Sequence, residues 1–366
     1  MQALSSDLSP ELSRLLDRFD AATDGLRAEH SPNGPGFSAA LVADGQALRC
    51  VHHGMAHLEW QQPLAGDTRY YLASESKPWV AALVLNAVAD GRLALDTDLR
   101  PQLPALASYE QPLCAGHLLR HTSGIADYLF LWGAQLGRHD NDVVTQAQAL
   151  DLIRRADDVS FAPGSRHDYS NSNYVLLAEW LQQDAGCRFD ELARQRFFEP
   201  WGLRHTSFED QPWRVLPRRA RSYGRVTPET GDWQELPVAL ASWGDGGLWS
   251  TPDDLILAER HWLDDWRRHG EHSLLARSCA EDARFGPADE PYRFGLEVLP
   301  HAGHRFMFHG GAYAGFTSLV LRCPDQGLSL VLLSNAQGFD SSAATWVDRL
   351  WGLDPATIDT DAPPPV

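Results

Sequence analysis

Tyr71-Leu72-Ala73-Ser74-Glu75-Ser76-Lys77-Pro78-Trp79 opens a run, continuing to Ala89, that joins a hydroxyl and an amine to an almost wholly apolar segment. Residues three apart on a helix project from one face, so Ser74 and Lys77 come within reach of each other. The apolar run predicts a helix over Trp79 to Ala89 buried on all sides, ended by Gly91. Pro78 suits the first turn of that helix, where its missing N–H costs nothing. Ser74 then stands at the positive end of the helix dipole, which favours charge developing on its oxygen.

Lys77 is also singular in the chain. Of 31 basic residues, 30 are arginine, and Lys77 is the one lysine. Arginine supplies surface charge and ion pairs, but its pKa above about 12 prevents it from releasing a proton. A lysine placed against an apolar helix has its pKa lowered by burial and can serve as a base or proton relay.

Working outward, Ser9 and Pro10 suit the cap and first position of a helix. Leu12, Leu15, Leu16, Phe19, Ala22 and Leu26 follow at helical spacing. Residues 36–42 and 46–52 flank an Ala-Asp-Gly turn and predict a hairpin. Between about 95 and 235 helical patterns and Pro-rich or Arg-rich loops dominate, and this block reads as a mainly helical insertion. Thr251, Pro252, Asp253 and Asp254 mark a further helix start. Strands are predicted at 305–308, 316–322 and 328–333, the last two joined at Pro324-Asp325-Gln326-Gly327. Trp346, Leu350 and Trp351 fall on a closing helix.

The 366 residues suffice for two or three packed units. A formal charge of −18 opposes nucleic-acid binding, which needs a clustered basic surface. No apolar run reaches the 18 residues of a membrane span, and the mean hydropathy is −0.33. The partner expected is therefore a small molecule, with neither nucleic acid nor membrane. Five widely spaced cysteines without a C-x-x-C pair read as reduced core thiols. With no signal-peptide pattern at the start, they predict a cytoplasmic protein. No His-Glu-x-x-His spacing occurs among the 15 histidines, and His52 and His53 on one strand point to opposite faces, so neither metal nor cofactor is expected. No Gly-x-Ser-x-Gly elbow of an α/β-hydrolase is present.

The Ser74-to-Lys77 segment, followed by its apolar helix and Gly91-Arg92-Leu93, resembles the serine β-lactamase and penicillin-binding-protein superfamily. Four further segments agree in order. These are Leu119-Arg120-His121-Thr122-Ser123-Gly124-Ile125, Tyr169-Ser170-Asn171, Gly246-Gly247-Leu248-Trp249-Ser250-Thr251 and His309-Gly310-Gly311; the second resembles the Tyr-x-Asn box of the class C-like branch. The resemblance spans about residues 36–336. It implies an α+β fold, an antiparallel sheet flanked by helices with an inserted mainly helical domain. The α/β domain is built from both chain ends, 1–73 and 236–354. Residues 74–235 form the mainly helical domain carrying the Ser74 helix, and 355–366 a loose tail.

The resemblance further implies Ser74 as the acylated nucleophile, with Lys77 and Tyr169 handling the proton; which of the two is the base stays open. Asn171 would bind the acyl portion of the substrate and also fix Lys77. The backbone N–H groups of Ser74 and Ala312 would form the oxyanion hole, with Gly310 and Gly311 letting substrate approach the strand. His309, Gly310 and Gly311 are the expected substrate-binding residues of the third box. Where antibiotic-degrading members carry Lys-Thr-Gly, this chain has His309 and Gly310, which weakens recognition of an anionic β-lactam. The expected activity is hydrolysis of a small ester or a (D-)amino-acid amide or peptide bond through an acyl-enzyme. A true class C-type β-lactamase or DD-peptidase is the alternative, and a non-catalytic binding relative the alternative of another class. Trp213, Trp233, Trp243, Trp249 and Tyr313 are expected chiefly in core packing, with an aromatic acyl pocket as the other option.

Overall fold

The computed structural model describes residues 8–139, 142–227 and 231–352. The predicted loose tail at 355–366 lies outside the described residues. Helix α1, Pro10–Glu29, starts as its sequence dictates: Pro10 occupies the first turn and the Ser9 side chain accepts from the Leu12 N–H at 3.2 Å. The predicted hairpin is present as β1, Phe37–Ala43, and β2, Gln46–His53.

The apolar segment forms helix α2, Lys77–Ala89, whose residues from Lys77 to Leu85 are all buried. Ser74 lies outside it, in a 3-10 turn over Ala73–Ser76. Three residues per turn bring positions i and i+3 into line, so the Ser74–Lys77 pairing expected of an α-helix is kept by the tighter one. Helix α3, Tyr128–Leu136, and α4, Gln146–Ala156, precede α5, Asn171–Ala185. Helix α6, Pro252–His269, begins at a Thr251 cap that accepts from the Asp254 N–H at 3.1 Å.

Four strands then complete the sheet: β3, Glu297–His301; β4, His304–Tyr313; β5, Phe316–Cys323; and β6, Leu328–Ser334. β4 runs well past the predicted 305–308, through Gly310 and Gly311, because ladder pairing with β5 overrides the poor strand propensity of glycine. β3 was not expected from the sequence. Helix α7, Ala343–Trp351, closes the described chain.

The sheet is antiparallel in the order β3-β4-β5-β6-β1-β2. Alternation along the strands sorts side chains to its two faces. Phe37, Ala39, Leu41, Leu319, Leu321, Leu330 and Leu332 pack with Leu15, Phe19 and Leu26 of α1 and Trp346, Val347 and Leu350 of α7. Ala40, Val42, Val320, Val331 and Leu333 face the larger core with α2, α5 and α6. Burial on both faces explains why β5 and β6 read as continuous apolar runs.

Three expectations need correction or refinement. Cys50 is exposed on β2, whereas Cys114 and Cys323 are buried as expected; all five thiols are unpaired. Trp243 and Trp249 are core residues, but Trp213 is 77% exposed and packs in no core. The turn at Pro324–Gln326 is a short 3-10 segment. Among the described residues, no helix is long and apolar enough to cross a membrane.

Candidate active site

The turn carrying Ser74 is pinned from several sides. Leu72 N–H donates to Leu248 O at 2.9 Å, Ser318 Oγ to Leu72 O at 2.7 Å, and Ser76 Oγ to Ala73 O at 2.6 Å. Ala73, directly before Ser74, has φ +48°. That left-handed backbone is unfavourable for a residue with a Cβ and is held by this surrounding network. Ser74 itself remains partly exposed while Glu75, Ser76 and Lys77 are buried.

Lys77 Nζ donates to three oxygens: Ser74 Oγ at 2.9 Å, Asn171 Oδ1 at 2.9 Å and the Asp245 main-chain O at 3.0 Å. The second and third partners lie 94 and 168 residues away in sequence. Burial pulls the amine down from its ordinary value to about 8, opposed by the carboxylates of Asp245 and Asp127. The Tyr169 ring lies 4.8 Å from Nζ and the Tyr174 ring 5.8 Å.

The Tyr169 hydroxyl is buried and has no hydrogen bond of normal geometry. Burial pushes the phenol well above its usual value, and the neighbouring Ser74 hydroxyl opposes that shift. Tyr169 is held by His121, whose ring stacks on it at 4.1 Å. The N–H of Ser170 and the amide of Asn173 both donate to His121 Nδ1, at 3.2 and 3.1 Å. Two donors on Nδ1 assign the proton to Nε2. Burial, then the nearby Lys77 charge, hold this imidazole neutral.

The third box lies on β4. β3 pairs with β4 only through Phe308, so His309–Tyr313 presents an open edge. The β4–β5 hairpin closes at Tyr313 and Phe316 through Ala314, φ +49°, and Gly315, φ +84°, a two-residue loop with both central residues left-handed. Such a loop makes its flanking pair a hydrogen-bonded one, so by alternation the Ala312 N–H points away from β5, towards the open edge. Gly311 lies against the turn that carries Ser74: a Cβ there would come 2.2 Å from Leu72 O and 2.9 Å from Ser74 N. His309 is 3% exposed. Its Nδ1 donates to Gly310 O at 2.6 Å and its Nε2 accepts from the Tyr292 hydroxyl at 3.1 Å. Burial and Lys77 lower its pKa to about 3. Both ring nitrogens are thus engaged within the protein.

Ser74, Lys77, Tyr169, Asn171 and Gly311, dispersed over 238 positions of sequence, therefore come together around one turn. Sequence reading missed two carboxylates there. Asp127 accepts from both the main-chain and side-chain amides of Asn171, at 2.7 and 2.9 Å. Asp245 accepts from the Tyr128 hydroxyl at 2.7 Å. Asp127 did carry a signal, since an Asp before Tyr128-Leu129-Phe130-Leu131 marks a helix cap; Asp245, between glycines, carried none. Among the described residues, no group of three or more His, Cys, Asp or Glu side chains could hold a metal ion.

Known proteins resemble this chain to different extents. A D-aminopeptidase of Brucella anthropi is 29% identical over 336 residues, covering 90% of this chain and 62% of its own. The chain thus spans about three-fifths of the length of the curated relatives it matches. An octameric penicillin-binding protein homologue from Pyrococcus abyssi superposes with a TM-score of 0.78 at 22% identity, covering 93% of this chain and 78% of that one. A D-stereospecific amidohydrolase from Streptomyces sp. does so with a TM-score of 0.70 at 23% identity, covering 90% and 97%. These two share the fold. The family model described as Beta-lactamase matches residues 15–351, from the first turns of α1 to the end of α7. Nearly the whole chain is accounted for by that match, and the protein belongs to the beta-lactamase family.

Proposed function

We propose that the protein is a serine hydrolase that forms an acyl-enzyme on Ser74 and cleaves amide or peptide bonds of D-amino-acid substrates. The geometry around Lys77 Nζ carries this reading. Of its three partners, Asn171 Oδ1 and Asp245 O can only accept, whereas the Ser74 hydroxyl can also donate. Once neutral, the amine keeps two N–H groups for the two obligate acceptors and turns its lone pair to the Ser74 O–H. Burial favours the neutral forms of both Lys77 and Tyr169, which makes Lys77 the base and the Tyr169 phenol the relay.

In the acylation step Lys77 takes the Ser74 proton as Oγ bonds to the substrate carbonyl carbon. The N–H groups of Ser74 and Ala312 stabilise the oxyanion. The C–N bond then breaks as the leaving nitrogen takes a proton from Tyr169, which regains one from Lys77. Water attacks the ester to regenerate Ser74. The second N–H of the Asn171 amide, free of Asp127, would hold the acyl portion of the substrate.

The names of the D-aminopeptidase relatives and of the D-stereospecific amidohydrolase support the amide class of substrate. The neutral, enclosed His309 supports it too, since the third box then offers an anionic β-lactam no cation. We read substrate contact in that box as made by Gly310, Gly311 and Ala312 rather than the imidazole. The unpaired cysteines support a cytoplasmic setting. A sheet drawn from both chain ends supports the division into 1–73 with 236–354 and 74–235.

The test is a chromogenic comparison of D- and L-amino-acid amides, short-chain esters and a cephalosporin, with Ser74→Ala as control and mass mapping of a fluorophosphonate adduct. Turnover of a D-amide with the adduct on Ser74 is expected. Dominant cephalosporin hydrolysis refutes the substrate class, and a folded protein that takes no label is a binding relative.

A further inference from the structure

We propose that Asp127 is a positioning residue, which fixes the orientation of the Asn171 amide and, through it, the direction of the Lys77 lone pair. The inference rests on the role given to Lys77 above. The Asp127 carboxylate divides its two oxygens between two helix starts. Asp127 Oδ1 accepts from the Leu129 N–H at 2.8 Å and caps α3. Oδ2 accepts from the Asn171 N–H at 2.7 Å and Nδ2 at 2.9 Å, at the first residue of α5.

A carboxylate can only accept, so the NH₂ end of Asn171 must face it and Oδ1 must face Lys77. Were the amide turned over, it would offer N–H to Lys77, the amine lone pair would point to Asn171, and an N–H would point to Ser74. Asp127 thus excludes the one rearrangement that would leave Lys77 neutral but unable to take the Ser74 proton. Asparagine cannot replace it. A side-chain amide at position 127 has one acceptor oxygen, so its NH₂ end would oppose N–H groups either at the cap or at Asn171.

Asp127 also acts on the amine by charge. The groups facing Lys77 are the carboxylates of Asp127 and Asp245, the phenols of Tyr169 and Tyr174, and the neutral imidazoles of His121 and His309. Only the two carboxylates raise the amine pKa, so removing Asp127 lowers it further.

The single lysine of the chain makes the test direct. Protein labelled with ¹³C,¹⁵N-lysine gives one side-chain amine signal, and its pH titration reads Lys77 without any assay of activity. Asp127→Asn and Asp127→Ser are compared with wild type; serine keeps an N-cap oxygen but does not bridge to Asn171. Expected are a wild-type midpoint near 8, midpoints lower by about half a unit or more in folded variants, and kcat/KM reduced about 10²-fold. Variants that match wild type in both readings overturn the proposal. So does a loss of rate with an unmoved midpoint, the signature of damage to the fold alone. A shifted midpoint in protein whose Ser74 takes no fluorophosphonate sinks the hydrolase reading and leaves the positioning role standing.

Discussion

Gly311→Ala tests how closely β4 approaches the turn that carries Ser74. The added Cβ would lie 2.2 Å from Leu72 O, 2.7 Å from Ser318 Oγ and 2.9 Å from Ser74 N. A carbon–oxygen contact needs about 3.3 Å, so strand and turn must part by about 1 Å. Leu72 O cannot yield alone, because Ser318 Oγ is bonded to it and the Leu72 N–H is tied to Leu248 O. The separation opens the gap between the N–H groups of Ser74 and Ala312, which the proposed mechanism requires to converge on one oxygen. Misplacement by about 1 Å costs about 10²-fold, and losing one oxyanion donor about 10² to 10³-fold, roughly 3 kcal/mol. We expect kcat/KM for the best amide to fall within that range, with the fold intact by thermal melt. Gly310→Ala is the control. Its Cβ meets only Ser318 O at 3.5 Å, an ordinary contact, on the other face of the same strand. That change leaves the Ser74 turn in place and can act only through the substrate contact at Gly310, so a smaller loss than for Gly311→Ala is expected there. A Gly311→Ala enzyme as active as Gly310→Ala would refute the argument that this approach builds the oxyanion site.

Activity should follow the Lys77 amine: with a substrate that does not titrate, kcat/KM rises with pH, half-maximal near 8, because neutral amine accumulates above its pKa. Lys77→Arg, which keeps the charge and cannot release the proton, should cost about 10³-fold across that range in stopped-flow acylation. Deep in the core, Arg322 is 2% exposed and makes a two-oxygen pair with Glu259. Arg322→Met leaves that carboxylate buried and unpaired, and urea melts should show a loss of about 3–5 kcal/mol. Glu75 has both oxygens buried and without hydrogen bonds, and burial drives its pKa well up against the opposing Arg322 charge, which favours its neutral form. Glu75→Gln should therefore change stability by less than about 1 kcal/mol in the same melts; a larger loss would mean that Glu75 is ionised beside Arg322.

The local elements were written plainly in the chain. Ser9-Pro10 and Thr251-Pro252 start helices where cap chemistry places them, and the run after Lys77 is a buried helix because no face of it is polar. The one lysine, three residues from a serine, announced a titratable amine that arginine could not replace. Such features depend on neighbours within a turn or two, and side-chain type together with spacing decides them. Tertiary structure decided what these groups meet. Pairing with β5 drew His309–Tyr313 into an edge strand despite two glycines, and gave Ala312 its outward N–H. Asp127 carried only a cap signal, yet it governs an amide 44 residues away. Asp245, among glycines, supplies Lys77 with a main-chain oxygen from 168 residues away. His309, expected from the sequence to contact substrate, is buried and bonded to the Tyr292 hydroxyl, a placement no local pattern foretold. Contacts across such separations arise only when the core closes, because the packing of the sheet against α2 and α5, and no local preference, sets which polar atoms lose water together and must satisfy one another.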